Sequence, residues 1–92
     1  MLVTLLETKE WLGVEHDLHD GMISRIIGAS EIYIKNGTGH DFDSSNELAQ
    51  QLCLVLVTDM YENRTFTGPS EKIRPTVRNM IEQLTYCYEG DT

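Results

Sequence analysis

Residues 3–42 read VTLLETKEWLGVEHDLHDGMISRIIGASEIYIKNGTGHDF, and their pattern decides the fold class. Thr4 and Glu7 stand three apart ahead of an apolar run. That is the spacing of a capping box, in which each side chain satisfies the other residue's free backbone N–H. The helix it predicts covers Leu5–Leu12 with Leu5, Trp11 and Leu12 turned inward, and Gly13 supplies a left-handed stop. A second helix is expected to start near Asp17 or Leu18, capped by Asp17, with Asp20 at the positive end of its dipole. Leu18, Met22, Ile23, Ile26, Ile27, Ser30, Tyr33 and Ile34 recur along it at helical spacing. Asn36-Gly37 is expected to end it, and Gly39 to keep the next turn open.

Beyond this stretch, Ser44 and Glu47 form a second capping box, which predicts a third helix over 45–62. It is apolar on nearly every face, with Leu48, Ala49, Leu52, Cys53, Leu54, Val55, Leu56, Val57, Met60 and Tyr61. Such a helix needs cover all round, more than a four-helix monomer is expected to provide. Its length favours helix over strand. Residues 63–74 read as a long loop centred on Gly68-Pro69. Pro75 suits the first turn of a last helix, where its missing N–H costs nothing. Val77, Met80, Ile81 and Leu84 mark that helix's buried face, and 86–92 are expected to fray. The expectation is an all-α fold, a small bundle of four to five helices with a long loop before the last, residues 1–92 forming a single domain.

Fifteen acidic against seven basic side chains give a formal charge of −8. Proteins that grip nucleic acid neutralise phosphates with clustered Lys and Arg. Here Lys9, Arg25, Lys35, Arg64, Lys72, Arg74 and Arg78 are scattered, so tight DNA or RNA binding is disfavoured. Cys53 and Cys87 match no metal or redox spacing and read as reduced thiols. No secretory leader pattern is visible at the N-terminus. The apolar run 52–57 is far too short to span a bilayer. A soluble protein made in the cytoplasm is expected.

Several residue groups invite a chemical reading, and each has a plainer one. His16, Asp17, His19 and Asp20 carry metal-ligand chemistry, yet a turn before a helix is rich in Asp for capping reasons alone. Asp41, Asp43, Ser45 and Glu47 alternate like the start of a calcium loop but lack its glycine and its final glutamate. Gly37-Thr38-Gly39 has no preceding strand and no third glycine, so helix termination is the better reading. Cys53 sits inside an apolar helix, where a thiol is inert. Asn63-Arg64-Thr65 is a glycosylation pattern without meaning in a protein that is not secreted. No catalytic residue, metal or cofactor is expected. Among the aromatics, Trp11, Tyr33 and Tyr61 read as core, while Phe66 lies in the long loop, where contact residues gather.

Four stretches carry a resemblance. TLLETKEWLGVEHDLHDGMI gives a short helix, a turn through glycine and an acidic run. IIGASEIYIKNGTGHDF gives a second helix and its exit, LAQQLCLVLVTDMYENR an apolar third helix, and IRPTVRNMIEQL a helix started by proline. In this order they resemble the small head-tail connector proteins of long-tailed bacteriophages, also described as DNA-packaging or head-completion adaptors. The chain departs from that pattern at Thr76, where many members place an aromatic after the proline.

The resemblance implies a structural protein and not an enzyme. It implies a closed ring of copies, dodecameric in the virion, stacked under the capsid portal and facing a head-completion or tail-proximal protein. DNA would pass through the channel without specific binding. Arg64, Phe66 and Arg74 in and beside the loop, with Leu54 and Val57 of the third helix, are the candidate contacts with neighbours. The competing reading is a small helix-turn-helix DNA-binding regulator built on the first two helices. Against it, the second helix carries only Arg25 and Lys35 as cations.

Overall fold

The first helix is set by its caps. Thr4 Oγ1 accepts from the Glu7 N–H at 3.0 Å, and Glu7 Oε1 accepts from the Thr4 N–H at 2.9 Å. Gly13, at φ 76°, ends the helix with its N–H returned to the Glu10 carbonyl. In the computed structural model, which describes residues 2–40, 42, 45–63, 69 and 71–90 (86–90 as backbone only), this is the first of four helices. They are α1 Leu5–Leu12, α2 Asp20–Thr38, α3 Glu47–Asn63 and α4 Arg74–Gly90. Among the described residues the fold is all-α.

The second helix departs from expectation at both ends. Asp17 does not cap it. Lys9 Nζ lies 2.7 Å from Asp17 Oδ1 and 2.9 Å from Asp20 Oδ1, so a cation eight residues back takes the carboxylate. The helix begins at Asp20 behind His19, which makes no side-chain cap bond. Leu18 falls outside it and is 85% exposed instead of buried. At the far end Asn36-Gly37 remains helical, and the stop is Gly39 at φ 77°, whose N–H donates to the Lys35 carbonyl at 2.7 Å. Gly37 serves packing: a β-carbon there would stand 2.9 Å from Ile81 Cδ1, so its hydrogen lets α4 lie close to α2.

The third helix starts two residues later than expected. Asn46 Oδ1 accepts from the Ala49 N–H at 3.0 Å and the Asn46 carbonyl from the Gln50 N–H at 3.0 Å, so Asn46 is the cap. Ser44, proposed for that role, lies outside the described residues. Glu47 then occupies the first helical position, where its charge suits the dipole. Helices α1, α2 and α4 all pack on α3. Ile23, Ile26, Ile27 and Ile34 of α2 meet Leu52, Cys53, Leu56, Val57 and Met60 of α3, and Val77 and Leu84 of α4 close the same cluster. Burying one such aliphatic side chain contributes about 1.5–3 kcal/mol.

A correction follows for α3. Among the described residues the large exposed apolar side chains are Leu6, Trp11, Leu18 and Ile32, and none of them lies on it. The chain covers its own apolar helix, because three helices surround it and Leu2 and Val3 fold over its start. That leading segment is held by Glu31 Oε2, which accepts from the Leu2 N–H at 2.6 Å, and by Gln50 Nε2, which donates to the Leu2 carbonyl at 3.0 Å. Buried hydroxyls close on their own helices, Ser30 Oγ donating to the Ile26 carbonyl and Thr38 Oγ1 to the Ile34 carbonyl, each at 2.8 Å.

Helix α4 begins as expected, with Pro75 in its first turn and the Val77 N–H donating to the Ile73 carbonyl at 2.9 Å. Val77 and Leu84 are buried, Met80 and Ile81 half-buried. The backbone stays helical to Gly90, so the end expected to fray at 86 continues the helix.

Candidate interaction surface

Trp11 is not a core residue. It is 50% exposed, because α1 is one short helix and its apolar arc reaches past the core. Its position is nevertheless fixed. Thr58 Oγ1 gives its proton to the Leu54 carbonyl at 2.8 Å, which leaves a lone pair for the indole Nε1–H at 2.7 Å. The pinned indole forms one wall of an open groove of about 790 Å³. Val55, Thr58, Asp59 and Asn63 of α3 line it together with Ile73, and the exposed Glu62, Glu71 and Lys72 stand at its edge. Asp59 is buried, and Asn63 Nδ2 donates to its carbonyl and to its Oδ1, both at 2.9 Å. Three carboxylates thus stand against one ammonium in a groove whose apolar side chains are Trp11, Val55 and Ile73.

The outer face of α2 has the opposite character. Ile32 is 61% exposed there, with Arg25 two turns before it and Lys35 one turn after it, both exposed. No exposed carboxylate lies on this face, since Glu31 is half-buried and turned to the Leu2 N–H. Arg25 makes no hydrogen bond or ion pair among the described residues.

The turn between α1 and α2 absorbs the residues with metal-ligand chemistry. Lys9 is only 12% exposed and bridges Asp17 and Asp20. The hydrogen bond to Asp17, then that to Asp20, hold the ammonium above its ordinary pKa, and the bond from Lys9 holds the Asp17 carboxyl below its own. His16 Nδ1 accepts from the Leu18 N–H at 3.2 Å. His19 Nδ1 shares a hydrogen bond of 2.7 Å with the Tyr61 hydroxyl. Among the described residues, no three His, Cys, Asp or Glu side chains converge as a metal requires. Asp41 and Asp43 lie outside the described residues. Burial, with the Glu31 charge a lesser cause, pushes the Cys53 thiol up to about 12.

A profile of the phage gp6-like head-tail connector protein family matches residues 2–90. The chain belongs to this family. The connector is accordingly a structural phage protein with an adaptor role at the head-tail junction, in a family that is structural and not catalytic. Comparison with curated proteins and with solved structures gives no significant match. Among the described residues, no helix of the connector is long and apolar enough to cross a membrane.

The contact residues named from sequence fall in different places. Arg64 and Phe66 lie outside the described residues. Arg74 is exposed at the head of α4, its Nε donating to the Pro69 carbonyl at 3.3 Å. Leu54 is half-buried beside Val3 and Gln51 in a shallow cleft. Val57 is wholly enclosed by the connector's own core and has no surface to offer a neighbour. Sequence reasoning missed the groove. Its walls join Trp11 to residues 47 positions later, and no local pattern carries that pairing.

Proposed function

We propose that copies of the connector close into a ring, dodecameric in the virion, between the capsid portal and a head-completion or tail-proximal protein. The observation that carries this reading is the family match over residues 2–90. The chain would act as one connector domain, with DNA passing through the ring without specific binding. The charge of −8 supports that passage, since a wall that attracted phosphates would hold the genome in place. Charges further apart than about 8 Å are screened at physiological ionic strength, so the lining residues alone decide the effect. The apolar side chains that support contact between copies are Leu6, Trp11, Leu18 and Ile32, a different set from the α3 residues first considered. Leu54, Arg64, Phe66 and Arg74 remain proposed contacts with neighbouring copies or the portal.

The test is co-sedimentation of the purified connector with portal-bearing capsids that lack it, followed by electron microscopy of the portal vertex. The expected result is a ring of density at that vertex alone. Uniform decoration of the capsid, or no binding, would remove the reading. A gel shift with free duplex DNA that weakens steeply with salt would favour the regulator instead.

A further inference from the structure

We propose that the outer face of α2 on one copy seats in the Trp11–Glu62–Glu71 groove of the next, an inference that specifies the surfaces of the ring reading above and rests on it. The groove presents apolar surface from Trp11, Val55 and Ile73 under the exposed carboxylates of Glu62 and Glu71. A surface of this kind selects an apolar knob flanked by cations. The outer face of α2 supplies one. Ile32 is the knob, 61% exposed, with Arg25 and Lys35 on either side of it along the helix. Around Gly28, one turn before Ile32, no atom beyond the adjoining residues and the local helix backbone lies within 4 Å of where a β-carbon would stand, so a neighbour can approach the backbone there.

Charge decides between occupants. Two copies that each carry −8 repel at long range, so a contact between them must place cations of one against carboxylates of the other. The α2 face without an exposed carboxylate and the groove with two at its rim meet that condition. They cannot meet within one copy. Ile23, Ile26 and Ile27 turn α2's other side into the core, and Leu52, Leu56 and Met60 do the same for α3. The cationic face and the groove therefore look outward from opposite sides of the α2–α3 pair. A contact between two different patches is head-to-tail, and it repeats from copy to copy until rotation closes it.

The experiment mixes Ile32→Cys and Glu62→Cys connectors at millimolar concentration under mild oxidation, each in a Cys87→Ser background. Both substituted positions are exposed, so the fold is kept. The mixed disulfide dimer is expected several-fold above the yield from a control pair in which Glu82→Cys replaces Ile32→Cys. Adding Arg25→Glu to the first partner should lower that yield, and adding Glu71→Arg to the second should restore it. A yield equal to the control pair, or one indifferent to Arg25→Glu, overturns the contact. Capsid co-sedimentation is read in parallel. Capsid binding by the unsubstituted connector together with a cross-link yield no higher than the control removes this contact and leaves the adaptor reading, whereas absence of binding by the unsubstituted connector removes the adaptor reading itself.

Discussion

Gly37 and Ile81 lie so close that a β-carbon on Gly37 would meet Ile81 Cδ1 at 2.9 Å and Cγ2 at 3.4 Å. The hydrogen of Gly37 leaves room for the Ile81 side chain where α2 and α4 pack. Alanine at position 37 gains about 1 kcal/mol of helix propensity. It asks only the end of a half-buried isoleucine to turn aside, so Gly37→Ala should change stability by less than about 1 kcal/mol. Gly37→Leu overpacks the crossing and should cost about 1–3 kcal/mol. Adding Ile81→Ala should return part of that loss. Urea denaturation of the three variants checks this, and a leucine variant as stable as the parent would refute the close crossing.

Trp11 is the sole tryptophan, which makes the groove optically visible. Half exposed, it should emit as a hydrated indole and be quenched by acrylamide in the isolated subunit. Trp11→Ala should cost less than the 3–5 kcal/mol of a core tryptophan. Thr58→Val should cost about 1 kcal/mol or less, since water can replace the hydroxyl at an exposed N–H. Emission at short wavelength with resistance to quencher, in a monodisperse monomer, would contradict the placement.

Cys53 should be chemically silent. Its thiol is enclosed by the core and pushed up to about 12, so almost no thiolate exists at neutral pH. In Cys87→Ser protein, a thiol reagent should react at the rate of opening of the core and accelerate with urea. Immediate labelling in buffer would be the adverse result.

The Lys9–Asp17 pair gives a pH signature. Asp17 titrates lower folded than unfolded, so its contribution to stability is complete above the ordinary aspartate range. It is lost as pH falls below about 4, toward the depressed value. Lys9 titrates higher folded than unfolded, so its contribution holds below 10.5 and is lost as pH rises through the raised value. Asp17→Asn should flatten part of the acid limb of a plot of Tm against pH. Asp17 is exposed, which keeps the effect small. Identical acid limbs for parent and variant would show that the pair has no thermodynamic weight.

Asn46→Ala should lower stability by about 1 kcal/mol through loss of the α3 cap, and Asn46→Asp should retain most of it. Thermal denaturation of the two variants distinguishes a capping role from simple loss of a surface side chain.

What was legible in the sequence was local. Thr4, Glu7 and Gly13 bound α1 because each acts on backbone groups within four residues, and Pro75 opens α4 for the same reason. Among the described residues, the apolar positions read from sequence on α2, α3 and α4 include every buried core residue except Leu2 and Val3. Several of the misreadings share one cause, the intrusion of distant partners. Asp17 looks like a cap until Lys9 takes it, and Gly37 looks like a stop until Ile81 is seen beside it. Likewise α3 reads as a helix in need of outside cover because periodicity does not reveal that three helices and residues 2–3 surround it. The groove was invisible for the strongest form of this reason. Trp11 and Thr58 are joined only by the tertiary fold.

The clamp on Leu2 has a consequence for how the core is sealed. Leu2 is fastened by Glu31 and Gln50, side chains 29 and 48 positions further along the chain. Each helix can wind from contacts within itself, but the 2–3 segment has nothing to dock on until α2 and α3 lie side by side. Any event that parts those two helices therefore also releases Leu2 and Val3, which makes this segment a reporter of their separation.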